Sequence, residues 1–373
     1  MRIPRSATSF LIALEAVAMI IVLVLCIVHP WTTKPKNDLG GSNTEVVEEE
    51  TGVEQNTENQ IGTIVESEPE IESEASAMTF SEEVLAKVDA MTVEQKVAQL
   101  FVITPETLTG TNKVTLTGNT TKGAIEKYPV GGLVYSSLNF QNKNQVKNML
   151  NGVQSHYMTK FGITPFLMIS EQGGADSSPL ATAVKYTVAA APSEIGASGD
   201  TQNAVKAATD IASYLNEAGF NMNIAPNVQI YSQSNAVSSA MVAETVSTFG
   251  QKGIATVMFT FTSDKVGASQ DDVLVYKAGI DAGCDCIMVN GVSKEMVTYL
   301  RANMKYNGIL MSDSLSSDKV VEAVQAGVDM MYCPENFKEA YQNVLDAANS
   351  GAISKEVLDT AVARILTCKA SYE

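Results

Sequence analysis

Histidine is almost missing from this chain. Its 373 residues include only His29, beside a long apolar run, and His156, within "VKNMLNGVQSHYMTKF". Neither can reach a site built from strand ends, so no Ser-His-Asp or Cys-His machinery can be assembled, and a His-rich catalytic metal centre is excluded as well. Cysteine is scarce too. After Cys26 come Cys284, Cys286, Cys333 and Cys368, at spacings that fit no zinc pattern, and free buried thiols are expected rather than a disulfide framework. No apolar run is followed by G-x-G-x-x-G, and no G-x-x-x-x-G-K-[ST] loop occurs, so dinucleotide and nucleotide readings lose their usual support and no cofactor is expected. A net charge of −17 argues against nucleic acid as a partner.

What is present divides into three parts. Residues 10 to 28, "FLIALEAVAMIIVLVLCIV", are apolar except for Glu15 and at helical rise would span roughly 30 Å, the thickness of a hydrocarbon core. A membrane-crossing helix is expected here. The rival is a cleaved signal peptide, whose apolar region is usually only about 7 to 15 residues and which needs a small-residue cleavage site that "HPWTTKPK" does not offer. Arg2 and Arg5 precede the run, which places residues 1–36 as a cytoplasmic stub and single-pass anchor in the plasma membrane, with everything after them on the extracellular side. Residues 37–78 are rich in Glu, Ser, Thr and Asn and read as a disordered, self-repelling acidic linker that carries much of the net charge.

Residues 79–373 have the pattern of a folded domain. Eight short apolar runs recur, at 99–104, 131–136, 165–170, 221–226, 254–261, 286–291, 308–313 and 328–334. Amphipathic stretches at 141–160, 201–218, 239–251, 271–282, 293–305, 316–326, 336–350 and 354–370 separate or follow them, with Gly219 and Gly327 placed as carboxyl-terminal caps. Near-continuous apolar strands alternating with helices mean a parallel sheet covered on both faces. Eight such units suit a (β/α)8 TIM-type barrel, with a doubly wound open sheet as the alternative.

In a barrel the ligand meets the carboxyl ends of the strands. That rim would carry Thr104, Ser136, Ser170, Glu171, Asn227, Gln229, Asp264, Asn290, Asp313 and Glu335, a hydroxyl- and amide-rich set with no arginine, which suits sugar hydroxyls better than phosphates. Asp313 in "GILMSDSLSSDK" follows an apolar strand directly, where a nucleophile or substrate clamp would sit; equally, it could cap the helix that follows. Glu171, beside Gly173 and Gly174, is a second binding candidate or else a solvated loop acid. Asp264 and Asp176 read as surface loop charges.

Several segments resemble glycoside hydrolase family 3 in order along the chain. "AMTVEQKVAQLFVI" is similar to the family's opening M-T-x-E-E-K-x-x-Q-L-F pattern, and "LNEAGFNMNIAPNVQI" to its L-x-x-x-G-f-N-x-n-f-A-P-v-x-D-v. "YPVGGLVYSSLNFQNKNQVKNMLNGVQ", "GILMSDSL", "AGVDMMYCP" and "SGAISKEVLDTAVARILTCK" match further elements. The likeness is nearest to the single-barrel bacterial β-N-acetylhexosaminidase type, which acts on peptidoglycan sugars. It implies a retaining mechanism with Asp313 at the nucleophile position, an acid/base from a His-Asp pair after the fifth strand, and a sugar held by Lys, His and Arg. Here Met258 and Phe259 stand where the resemblance calls for Lys and His, Ser177 falls near the Arg position, Gln229 replaces an Asp, and "VSSAM" lacks the arginine of R-S-F.

The chain then reads as a membrane-anchored, catalytically degenerate barrel that binds a cell-wall glycan or muropeptide, or a protein partner, with Glu171, Gln229, Asn290 and Glu335 as substrate-binding candidates. One alternative is an active retaining β-N-acetylhexosaminidase using Asp313 and a substitute acid, Asp264 before Glu335. The other is a scaffold ectodomain without sugar affinity.

Overall fold

The computed structural model describes residues 79–232 and 234–372. The expected membrane segment and the acidic linker lie outside the described residues, among which no helix is long and apolar enough to cross a membrane.

Eight parallel strands close into a barrel in sequence order, β1 pairing with both β2 and β8. They are β1 Phe101–Ile103, β2 Gly132–Val134, β3 Phe166–Ile169, β4 Met222–Asn223, β5 Ala255–Thr262, β6 Cys286–Asn290, β7 Ile309–Ser312 and β8 Met330–Tyr332. Each falls inside one of the eight apolar runs except β5, which extends one residue past 254–261 to Thr262. The reason is the pleat: alternate residues face the lumen and the helical layer, and both environments are dry, so the whole strand must be apolar. The open sheet is thereby excluded.

Lumen-facing residues form one cluster in which Val102, Val134, Phe166 and Val257 are joined by Met168, Met222, Met288, Met311 and Met330, all buried. Methionine fills irregular gaps well, so the axis is packed solid. Phe259, Tyr332 and Cys333 close this cluster and are only partly covered. The residues facing outward, such as Phe101, Leu133, Leu167, Met258 and Leu310, belong to the larger core beneath the helices.

Helices surround the barrel much as the amphipathic stretches predict. The helix Thr201–Ala218 begins where Asp200 accepts a hydrogen bond from the Gln202 N–H and ends at Gly219, whose φ of 98° suits a residue with no Cβ. Gly327, at φ 97°, ends Val320–Ala326 in the same way. The last helix, Lys355–Ala370, closes the amino-terminal end of the barrel: Ile365 joins the lumen cluster, and the Tyr372 hydroxyl sits 2.9 Å from both carboxylate oxygens of Asp285, just before β6. Cys284, Cys286, Cys333 and Cys368 are free, the first two buried and the others half-buried.

Candidate active site at the open end of the barrel

The end of β7 carries the sharpest feature. Asp313 follows Ser312, the last residue of β7, and its backbone N–H donates to the Val289 carbonyl (3.0 Å), which fixes the loop against β6. Its side chain is half-buried, and Asn290 Nδ2 donates to Asp313 Oδ2 at 2.6 Å. The pairing follows from register, since Val289 lies opposite Ser312 and the next residue of each strand therefore meets across the rim. Burial pushes the Asp313 carboxyl above the usual aspartate range. The helix-cap reading of Asp313 fails, because the following helix starts only at Val320 and has no side-chain cap.

Asp264 lies in a turn after β5. Its side chain is exposed, its Oδ1 accepts from Thr262 Oγ1 (2.5 Å) and its Oδ2 lies 3.5 Å from Lys265 Nζ. Chiefly the Thr262 hydrogen bond, helped by Lys265, holds this carboxyl below the usual range. Thr262 is paired with Asn290 and Val289 with Ser312, so the end of β6 lies between the turn that carries Asp264 and the loop that carries Asp313. Glu335, after β8, is exposed, and its backbone N–H donates to the Leu315 carbonyl.

Glu171 does not lie where a ligand could meet it. It is fully buried, its Oε1 accepting from the Leu180 N–H (2.5 Å) and its Oε2 from the Tyr214 hydroxyl (2.8 Å). Its backbone exchanges hydrogen bonds with the Asn223 side-chain amide in both directions (2.9 Å each). Burial raises its pKa against the pull of those donors. Glu171 is thus a clamp between β3, β4 and the helix Thr201–Ala218, and neither a solvated loop acid nor an open binding residue, because both oxygens are taken by the chain itself. Asp176 is exposed in the turn Ala175–Ser177. Gln172 also faces inward to the loop after β4, donating to the Ile224 carbonyl (2.6 Å) and accepting from the Asn227 N–H (3.1 Å).

The rim hydroxyls are largely engaged. Thr104 Oγ1 accepts from the Thr107 N–H and Ser136 Oγ from the Leu138 N–H, each starting a short helix. Gln229 is exposed, with its backbone N–H on Asn227 Oδ1 and its side-chain amide reaching the Tyr276 hydroxyl. Phe259, which the sequence marks only as standing at a histidine position of the resemblance, packs its side chain against the lumen cluster at the open end, two residues after Val257.

Arginine is absent from this end for a structural reason. The chain has four, and the two described, Arg301 and Arg364, both bind Asp329, just before β8 at the opposite end (2.7 and 2.9 Å). His156, on the helix Lys143–Phe161, sits 3.2 Å from Glu126 in the outer layer.

Residues 259–368 match the model of the glycosyl hydrolase family 3 N terminal domain. The barrel is related to that family. The chain is 25% identical over 241 residues to a β-N-acetylglucosaminidase/β-glucosidase of Cellulomonas fimi, covering 48% of this chain and 43% of that protein. It is 22% identical over 324 residues to a β-hexosaminidase A of Pseudoalteromonas piscicida, covering 66% and 54%. The chain thus spans about half the length of the curated relatives it matches. Among solved structures, a glycoside hydrolase family 3 β-N-acetylglucosaminidase from Paenibacillus sp. str. FPU-7 aligns with a TM-score of 0.68 at 23% identity over 76% of this chain and 63% of that one. A β-N-acetylhexosaminidase from Beutenbergia cavernae DSM 12333 aligns at 0.61 and 19% over 75% and 99%. These structural likenesses carry the fold. The Asp313–Asn290 pair is a property of this chain's own rim.

Proposed function

We propose that this family 3-related barrel is catalytically degenerate and binds cell-wall glycan, held at the outer face of the plasma membrane by the apolar segment 10–28. The observation that supports the reading is the environment of two carboxyl groups that could otherwise serve Asp313 as proton donor, Asp264 and Glu171. Retaining glycosidases set their two carboxyl groups about 5 to 5.5 Å apart and inverting ones about 6.5 to 9.5 Å. Asp264 sits in an exposed turn with the end of β6 between it and Asp313, and its carboxyl is held below the usual range. Glu171 is enclosed. General acid/base assistance is worth about 10² to 10⁴ in rate, and the arginines that could position a sugar are bound at the other end of the barrel.

A second reading, a working β-N-acetylhexosaminidase, draws support from the carboxylate retained after β7 and from the names of the relatives. Release of p-nitrophenol from its N-acetylglucosaminide by the purified full chain separates the two. We expect no release above the Asp313→Asn control, together with calorimetric binding of chito-oligosaccharides or muropeptides. Turnover that Asp313→Asn abolishes would overturn degeneracy. Absence of heat at millimolar sugar would leave a scaffold role instead.

A further inference from the structure

One open space near the rim lies to the side of the barrel axis. A cavity of about 350 Å³ opens between the loop after β4 and the turn after β5, bounded by Val228, Gln229, Ser232 and Asn235 on one side and Lys265, Val275 and Tyr276 on the other. This volume falls in the range of small-ligand sites, about 300 to 1,000 Å³.

The lining is mostly uncharged and offers both donors and acceptors. Asn235 donates through Nδ2 to the Asp271 carbonyl (2.9 Å), and no hydrogen bond occupies its Oδ1 among the described residues. Ser238 Oγ donates to the Ser232 carbonyl (3.0 Å), and its oxygen retains accepting capacity. The Tyr276 hydroxyl donates to the Thr260 carbonyl (2.6 Å), which fixes the ring, and the Gln229 amide reaches the same oxygen. Lys265 is held only loosely by Asp264, at 3.5 Å, with its side chain three-quarters covered. One acid, Asp272, also lines the cavity, its Oδ2 accepting from Ser269 Oγ (2.7 Å). Val228 and Val275 supply the apolar part.

We propose that this cavity, and not the barrel axis, receives one saccharide ring: hydroxyls to Gln229, Asn235 and Lys265, an apolar face or acyl methyl against Val228 and Val275. A phosphate or a nucleotide would demand more cationic donors than the single Lys265 provides. The inference rests on the reading of the barrel as a glycan-binding module and adds where the glycan sits.

Binding of N-acetylglucosamine and chitobiose to the full chain, followed by saturation-transfer NMR and calorimetry, tests it with three variants. Gln229→Trp and Ser232→Phe fill the cavity from positions that reach solvent, whereas Asp313→Asn marks the axis. The filling variants should weaken binding at least tenfold with thermal midpoints unchanged, and by clearly more than Asp313→Asn does. Should a filling variant unfold, Lys265→Ala takes its place, with several-fold weakening expected. Loss in Asp313→Asn with the filling variants unaffected would put the sugar on the axis, refuting this inference while leaving glycan binding intact. Equal loss in all three would refute confinement to the cavity. No binding by the parent chain at millimolar sugar would remove both the glycan reading and this site.

Discussion

Replacing Asp329 by Asn should be the most damaging single carboxylate change in the barrel. Asp329 is 1% exposed and lies just before β8. Its Oδ2 accepts from Arg301 Nη2 (2.7 Å) and the Leu310 N–H (2.8 Å), and its Oδ1 from Arg364 Nη1 (2.9 Å). The two arginine side chains are only 16% and 17% exposed, and burial lowers the Arg301 pKa despite the carboxylate beside it. Asn keeps the shape and one acceptor but removes the charge that two covered guanidiniums face. Breaking one partner of a buried pair costs about 3–5 kcal/mol. Arg301 retains its bonds to the Tyr306 and Gly308 carbonyls, which places the expected loss at the lower end, about 3–4 kcal/mol. At about 2–4 °C per kcal/mol for a domain of this class, the thermal midpoint should fall by about 6–16 °C. Urea denaturation checks the cause: the midpoint concentration should drop with an unchanged slope. A loss below about 1 kcal/mol would put this cluster among ordinary surface pairs and refute the argument that both arginines are committed to the closed end.

Tyr214→Phe removes a hydroxyl donor from the enclosed Glu171 carboxyl, a loss of about 1.5–3 kcal/mol, visible in calorimetry as a midpoint lower by about 3–12 °C. An unchanged midpoint would show that the bridge does not hold the helix Thr201–Ala218. Because burial raises the Glu171 pKa in the folded chain, its contribution is complete below the unfolded value near pH 4.3 and is lost as pH rises through the raised folded value. Glu171→Gln should therefore flatten the fall in stability above that pH, and curves parallel to the parent's would contradict the assignment. Asp313 titrates with the same sign, so Asp313→Asn should leave urea stability at pH 7 equal or higher; a loss beyond about 1 kcal/mol would make Asp313 a structural anchor instead of a rim residue.

The strands were legible because each parallel strand is buried on both faces, and even β4, only Met222–Asn223, sits in a run apolar enough to mark. The helix 201–218 was legible to the residue, since its cap Asp200 and its terminal Gly219 are both chemically distinctive. Side-chain commitments were not legible. Nothing local in "LMISEQGG" shows that Leu180 and Tyr214 close over Glu171, and nothing in Thr104 or Ser136 shows that each hydroxyl is spent on a helix start. The helix expected from residue 316 begins at Val320, and that delay frees Asp313 from a capping role no propensity argument could have settled.

The carboxyl groups that follow β5 and β7 are displaced in opposite directions from the ordinary aspartate range. A retaining glycosidase needs an ionised nucleophile and a neighbouring carboxyl whose pKa is raised enough to donate a proton. In this chain the ordering is reversed: burial raises Asp313, at the nucleophile position, while Thr262 and Lys265 hold Asp264 low. The reversal has a simple origin. Asn290 supplies Asp313 with a neutral amide, while Lys265, in the solvated turn after β5, lies against Asp264. Restoring one residue could not reverse both shifts, since one depends on charge brought to β6 and β7 and the other on burial of the turn after β5. On the reading proposed above, a sugar that reaches this rim meets hydrogen-bonding groups without the asymmetric acid pair that bond cleavage requires.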